Sequence, residues 1–151
     1  MTVYRLFLPV LAVISVVIFS GCTVIRESAP EKSAVTVAPQ EYELARQLLQ
    51  AFIKNDAETF VALLPEETRA KFTAENFANT RRSVIESIGE PVAYSYLTTL
   101  ELPALHPQIW KVKFRRKNIN QTREYTSEVL FKVVTGMDNN KKAVITGFFF
   151  L

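Results

Sequence analysis

Cysteine and histidine are nearly absent from this sequence: one of each occurs among 151 residues. A single thiol closes no intramolecular disulfide, and one cysteine with one histidine cannot assemble a cysteine-rich metal site. A domain of this size must then be held by its apolar core. Excess charge is also lacking. Eighteen basic residues stand against fifteen acidic ones, a formal net charge of +3. So small an excess points by itself to neither nucleic acid nor a strongly anionic partner. What the chain does have is aromatic bulk, eleven Phe and five Tyr, enough to pack one domain of about 110 residues.

At the N-terminus one positive charge, Arg5, precedes the apolar stretch Leu6 to Phe19, which closes on Ser20-Gly21-Cys22. This is the layout of an export signal. The stretch holds Pro9 and falls short of the roughly 20 apolar residues of a membrane-spanning helix, and no stop-transfer cluster of Lys or Arg follows it. Phe19-Ser20-Gly21-Cys22 resembles the lipobox of bacterial lipoproteins. That resemblance implies cleavage before Cys22, a diacylglyceryl group on its thiol and usually a further amide-linked acyl chain such as palmitate; the other reading is a free cysteine after an ordinary signal. Burial gains about 0.8 kcal/mol per methylene, so several chains anchor firmly. Thr23, and not Asp, follows the cysteine, which by the same resemblance implies the outer membrane of a Gram-negative envelope, facing the periplasm. Residues 1–21 are thus expected to be signal peptide. Residues 22–38, rich in Ser, Thr, Ala, Pro and charge, form a lipidated, flexible tether, and the folded domain spans 39–151.

Pro39 is tolerated in a first helical turn, and Glu41 and Glu43 fall where the helix dipole favours negative charge. The spacing predicts a helix from Pro39 to Lys54 with Ala45, Leu48, Leu49 and Phe52 on its apolar face. Asn55-Asp56 breaks it, and Asp56 caps a second helix over Ala57 to Leu64. Pro65 begins a further turn through Phe72. Thr73 opens a last helix reaching Ile88, with Phe77, Val84, Ile85 and Ile88 on one face, and Gly89 stops it. From Val92 the period becomes two, and four strands are expected: Val92 to Leu102, Ile109 to Lys117, Arg123 to Val134 and Ala143 to Phe150. Trp110, Val112 and Phe114 alternate with Lys111, Lys113 and Arg115, so one face is buried and the other wet. Gly136 to Lys142 has the turn chemistry to link the last two strands. Helices followed by strands predict an α+β fold, N-terminal helices packed on a curved four-stranded antiparallel sheet. This element order, with the closing run Ala143-Val144-Ile145-Thr146-Gly147-Phe148-Phe149-Phe150, resembles the cone-shaped superfamily of nuclear transport factor two and ketosteroid isomerase over residues 40–151.

No residue set points to catalysis, a metal or a cofactor. His106 stands in the proline-bracketed segment Leu102-Pro103-Ala104-Leu105-His106-Pro107, read as a loop, with no orienting partner nearby in sequence. Enzymes of the resembled superfamily place an acid or base and a tyrosine inside the cone. Tyr94, Tyr96 and Tyr125 are here expected to pack with their hydroxyls at its mouth, because no Asp or Glu falls at a clearly inward strand position. Lys111, Lys113 and Arg115 have two readings: a surface for anionic lipid, lipopolysaccharide or an acidic partner, or a solvated edge paired with Glu124 and Glu128. The leading expectation is an envelope lipoprotein, held at the membrane by its lipid, whose noncatalytic domain binds a protein partner or a small apolar ligand. An inhibitor of the immunity or exclusion type and an enzyme using the cone pocket are the alternatives. Nucleic acid is not among the expected partners.

Overall fold

The computed structural model describes residues 38–117 and 124–151; Cys22, most of the tether and Arg123 lie outside the described residues. Four helices precede four strands: α1 (Pro39–Lys54), α2 (Ala57–Ala62), α3 (Glu66–Arg69), α4 (Ala74–Ile88), β1 (Glu90–Thr99), β2 (Leu105–Lys117), β3 (Glu124–Met137) and β4 (Ala143–Phe150). The strands form one antiparallel sheet in the order β1-β2-β3-β4. The helices cover one of its faces. This is the expected α+β architecture. Among the described residues, no helix is long and apolar enough to cross a membrane.

Local chemistry sets the helix ends. α1 begins with proline at its first turn and ends where Asn55 turns left-handed, at φ 59°, a conformation asparagine tolerates better than most residues. Asp56 caps α2 by accepting from the Thr59 backbone N–H at 3.0 Å. Thr73 and Asn76 cap α4 reciprocally. Gly89, at φ +114°, then turns the chain into β1, and a Cβ there would stand 2.6 Å from the Arg115 carbonyl oxygen. Only glycine fits that approach.

Burial follows the two periods. Ala45, Leu48, Leu49 and Phe52 of α1 are buried, as are Trp110, Val112 and Phe114 of β2 and Phe131 and Val133 of β3. In α4 the apolar face is thinner than its spacing predicts: Phe77 is buried, while Val84 and Ile88 pack half-buried on the core.

The strand bounds depart from expectation at one end of the sheet. β2 starts at Leu105, not Ile109, and β3 runs on to Met137, because Leu105, His106, Pro107 and Gln108 pair in register with Gly136, Thr135, Val134 and Val133. Pro107 is tolerated in this inner strand for a geometric reason. A strand residue's N–H and C=O point to the same side in an antiparallel sheet, and the Pro107 carbonyl accepts from Leu100 N at 2.8 Å. Its missing N–H therefore faces the flank where β1 has already ended.

Candidate functional site

α1, α2, α4, β3 and β4 surround a cavity of about 240 Å³. Its walls are Phe52, Phe60, Phe72, Phe77, Phe131, Phe148, Phe149 and Phe150, joined by Thr80. Phe52 closes the apolar stripe of α1, and Phe77 stands at the start of α4. β4 delivers its phenylalanines through a bulge: Ile145 pairs with Thr135 and Gly147 with Val134, leaving Thr146 without a ladder partner. The Thr146 hydroxyl instead donates to the Val134 carbonyl at 3.2 Å. An extra residue shifts the phase of a strand, so buried Ile145 and the core-packed Phe148 and Phe150 face the helices at a spacing that strict alternation forbids. Phe148 meets its neighbours edge-on, at 5.1 Å and 87° to Phe60 and at 5.7 Å and 83° to Phe72, arrangements that aromatic quadrupoles favour. The lining contains no ionisable side chain, and Thr80 contributes its one hydroxyl.

A second feature lies at the sheet end where β2 starts early. Glu41, in the first turn of α1, is fully buried, and both its carboxylate oxygens lie 2.9–3.0 Å from His106 Nδ1. Gln108 Nε2 donates to the Glu41 carbonyl at 2.9 Å and to Thr135 Oγ1 at 3.2 Å, and the Thr135 hydroxyl donates to the His106 carbonyl at 3.2 Å. This network ties the start of α1 to β2 and β3. The imidazole, one third exposed, is oriented by a buried carboxylate, the partner that sequence reading did not find. The signal was present: Glu41 lies four residues before Ala45, on the same stripe as Leu48, Leu49 and Phe52. A carboxylate on an apolar stripe needs a buried partner, and His106 sits in the inward phase of β2. Glu41 and His106 are not part of the cavity lining. Among the described residues no group of three or more His, Cys, Asp or Glu is placed to hold a metal.

The three strand tyrosines separate. Tyr94 and Tyr96 are buried against Trp110; the Tyr94 hydroxyl accepts from Gln50 Nε2 at 2.9 Å and the Tyr96 hydroxyl meets Thr99 Oγ1 at 2.7 Å. Tyr125 shares the inward phase of Phe131 and Val133, but half of it is exposed. On β2, Lys111, Lys113 and Arg115 alternate with the buried Trp110, Val112 and Phe114. Lys111 pairs with Glu128 at 3.4 Å and Lys117 with Glu124 at 3.6 Å, the cross-strand pairs expected of a solvated edge.

On α1, the Arg46 guanidinium donates through Nε and Nη2 to Glu43 at 2.8 and 2.7 Å. That bond, with a further one from Gln47, holds the Glu43 carboxyl below its ordinary range against the opposing effect of burial.

No family model matches this sequence, and no curated protein matches it. Solved structures do. A ketosteroid isomerase-like protein from Erwinia carotovora atroseptica SCRI1043 aligns with a TM-score of 0.52 and 11% identity over 72% of this chain and 90% of its own. A protein from Shewanella denitrificans OS-217 described as a SnoaL-like polyketide cyclase aligns with a TM-score of 0.49 and 14% identity over 76% of this chain and 90% of its own. At such identities the likeness to the first shows the fold, the cone of the nuclear transport factor two and ketosteroid isomerase type, and leaves the activity to be argued from the site.

Proposed function

We propose that this chain is a lipid-anchored envelope protein whose cone-like domain binds one small apolar molecule among its phenylalanines. The observation that carries the binding role is a cavity of about 240 Å³ walled by aromatic rings without an ionisable group. An apolar cavity of about 150 Å³ stays dry and takes up benzene, whereas drug-sized ligands occupy about 300–1,000 Å³. The matching ligand class is therefore a single-ring aromatic or a short acyl chain. Proton transfer needs a titratable group within hydrogen-bond reach of the reacting atom, and the lining offers the Thr80 hydroxyl alone, so binding is favoured over turnover. The anchoring half of the proposal rests on Phe19-Ser20-Gly21-Cys22 and the signal-like segment before it. Lys111, Lys113 and Arg115 are proposed as a separate contact for an acidic partner.

Two measurements test the two halves independently. Calorimetric titration should show saturable binding of single-ring aromatics and short fatty acids, with the negative heat-capacity change of apolar burial. Phe148→Trp, which fills the cavity from β4, should abolish it while the domain stays folded. Unchanged affinity in that variant, or no binding by any member of the series, overturns the cavity reading. For the anchor, a fatty-acid analogue should label the wild-type chain in cells and leave Cys22→Ala unlabelled and unprocessed; label on the Ala variant refutes it.

A further inference from the structure

We infer that the β1–β2 hairpin tip is a membrane-docking surface, on which exposed leucines enter the phospholipid interface that holds the Cys22 lipid. The inference rests on the proposed anchor and adds an orientation to it. Leu100, Leu102, Leu105 and Met137 are 51%, 50%, 38% and 43% exposed, although a leucine gains nothing from water. Register places them at one end of the sheet. Leu105 pairs with Gly136, next to Met137, and the tip is braced by Leu100 N to the Pro107 carbonyl at 2.8 Å and Leu102 N to the Leu105 carbonyl at 3.3 Å.

The described chain also begins at this end. Ala38 lies one helical turn before Glu41, its carbonyl accepting from Glu41 N at 3.0 Å, and Glu41 is fastened to His106 and Gln108 in the row beside Leu105. Sixteen peptide steps separate Cys22 from Ala38. A flexible segment of that length has a root-mean-square span of about 20–24 Å. The opposite end of β2, at Arg115 and Lys117, lies ten to twelve residues further along the strand from Leu105, roughly 33–40 Å away. A lipid at Cys22 therefore presents the leucine end to the bilayer at the higher effective concentration. The basic end then points away from the membrane, toward soluble partners.

Charge at the leucine end identifies the mode of contact. Lys141 and Lys142 in the β3–β4 turn are offset by Glu101 and Asp138, the latter engaged by the backbone N–H groups of Asn140 and Lys142 at 2.8 Å. With near-neutral charge, insertion of side chains about 5–10 Å into the headgroup boundary, as for interfacial apolar faces, has to supply the contact. Docking should be almost insensitive to salt.

Cys22 is the one cysteine of the chain, so in the lipidated protein an introduced thiol is the unique labelling site. The full lipidated chain carrying Leu102→Cys or Lys113→Cys is labelled with an environment-sensitive fluorophore and reconstituted into vesicles of phosphatidylethanolamine and phosphatidylglycerol. The probe at position 102 should be blue-shifted and several-fold less quenched by iodide than the probe at 113, at low and high salt alike. Adding Leu100→Ser and Leu105→Ser, both at exposed positions, should raise quenching at 102 to the level at 113, which excludes insertion driven by the dye. Co-flotation with equal quenching at the two positions, or shielding at 113 instead, overturns the docking surface while leaving the anchor. Loss of flotation together with loss of fatty-acid labelling removes the anchor and the inference with it.

Discussion

Tyr42 of α1 and the inward Tyr94 and Tyr96 of β1 gather around Trp110 of β2, with ring centroids 5.2–6.0 Å from it. Toward β4 the aromatic residues are phenylalanines, spaced at comparable distances, yet it is there that a cavity remains. The tyrosine hydroxyls bond Gln50 and Thr99, and the neighbouring Glu41–His106–Gln108–Thr135 network fixes the backbone around them. Directional bonds hold such rings in one arrangement. Phenylalanine has no such constraint: dispersion and edge-to-face contacts tolerate several packings. The tyrosine half closes the fold, and the phenylalanine half leaves open volume.

Truncation should separate the halves most strongly. Trp110→Ala is expected to destabilise the domain by about 3–5 kcal/mol in urea denaturation, since the ring is fully buried and its neighbours are tied in place. Phe148→Ala should cost clearly less, because its ring is only partly buried and already borders open volume. Equal costs would mean that the two halves are packed alike, and the distinction would fall.

Glu41→Gln gives an intermediate effect. The amide oxygen can still accept from the imidazole, so the loss is the difference between a charge-assisted and a neutral hydrogen bond, about 1–2 kcal/mol. Protection of the first α1 amides in hydrogen exchange should fall with it, while the ring resonances of Phe60 and Phe148 stay unmoved. Movement of those resonances instead would couple the halves that are held here to be independent.

The smallest effect is on the exposed side of α1. The Arg46 hydrogen bond depresses the Glu43 carboxyl, and a carboxylate depressed in the folded state stabilises it above the unfolded value of about 4.3. That stabilisation is lost as pH falls through the lower folded value. The pair is partly exposed, so Glu43→Gln should cost about 0.2–0.5 kcal/mol at neutral pH. Wild type and variant should converge in acid; a gap that persists or widens there contradicts the sign.

How much of this was legible in the sequence varies with the distance over which each feature is determined. α1 and β4 were readable end to end because a proline start, an asparagine stop and a bounded apolar run are local signals. The Lys111, Lys113 and Arg115 row was readable for the same reason, as strict alternation fixes its face. Pro103 and Pro107 are turn signals locally and predict a loop at His106; only pairing with β3 makes that segment a strand. Glu41 reads locally as a helix-dipole residue, because its partner is 65 residues away. The cavity had no sequence signature. Eleven phenylalanines announce a core, but a gap between them arises from the bulge at Thr146 and the thin apolar face of α4, which are relations between elements.

The most direct test of the central claim is two-dimensional NMR of the aromatic rings during titration with p-xylene, a single-ring probe without a polar group. The account predicts saturable shifts confined to phenylalanines of the cavity, Phe60, Phe72 and Phe148 above all, with Tyr42, Tyr94, Tyr96 and Trp110 unchanged. Saturable shifts centred on the tyrosine and tryptophan rings, or no saturable shift at all, would contradict it.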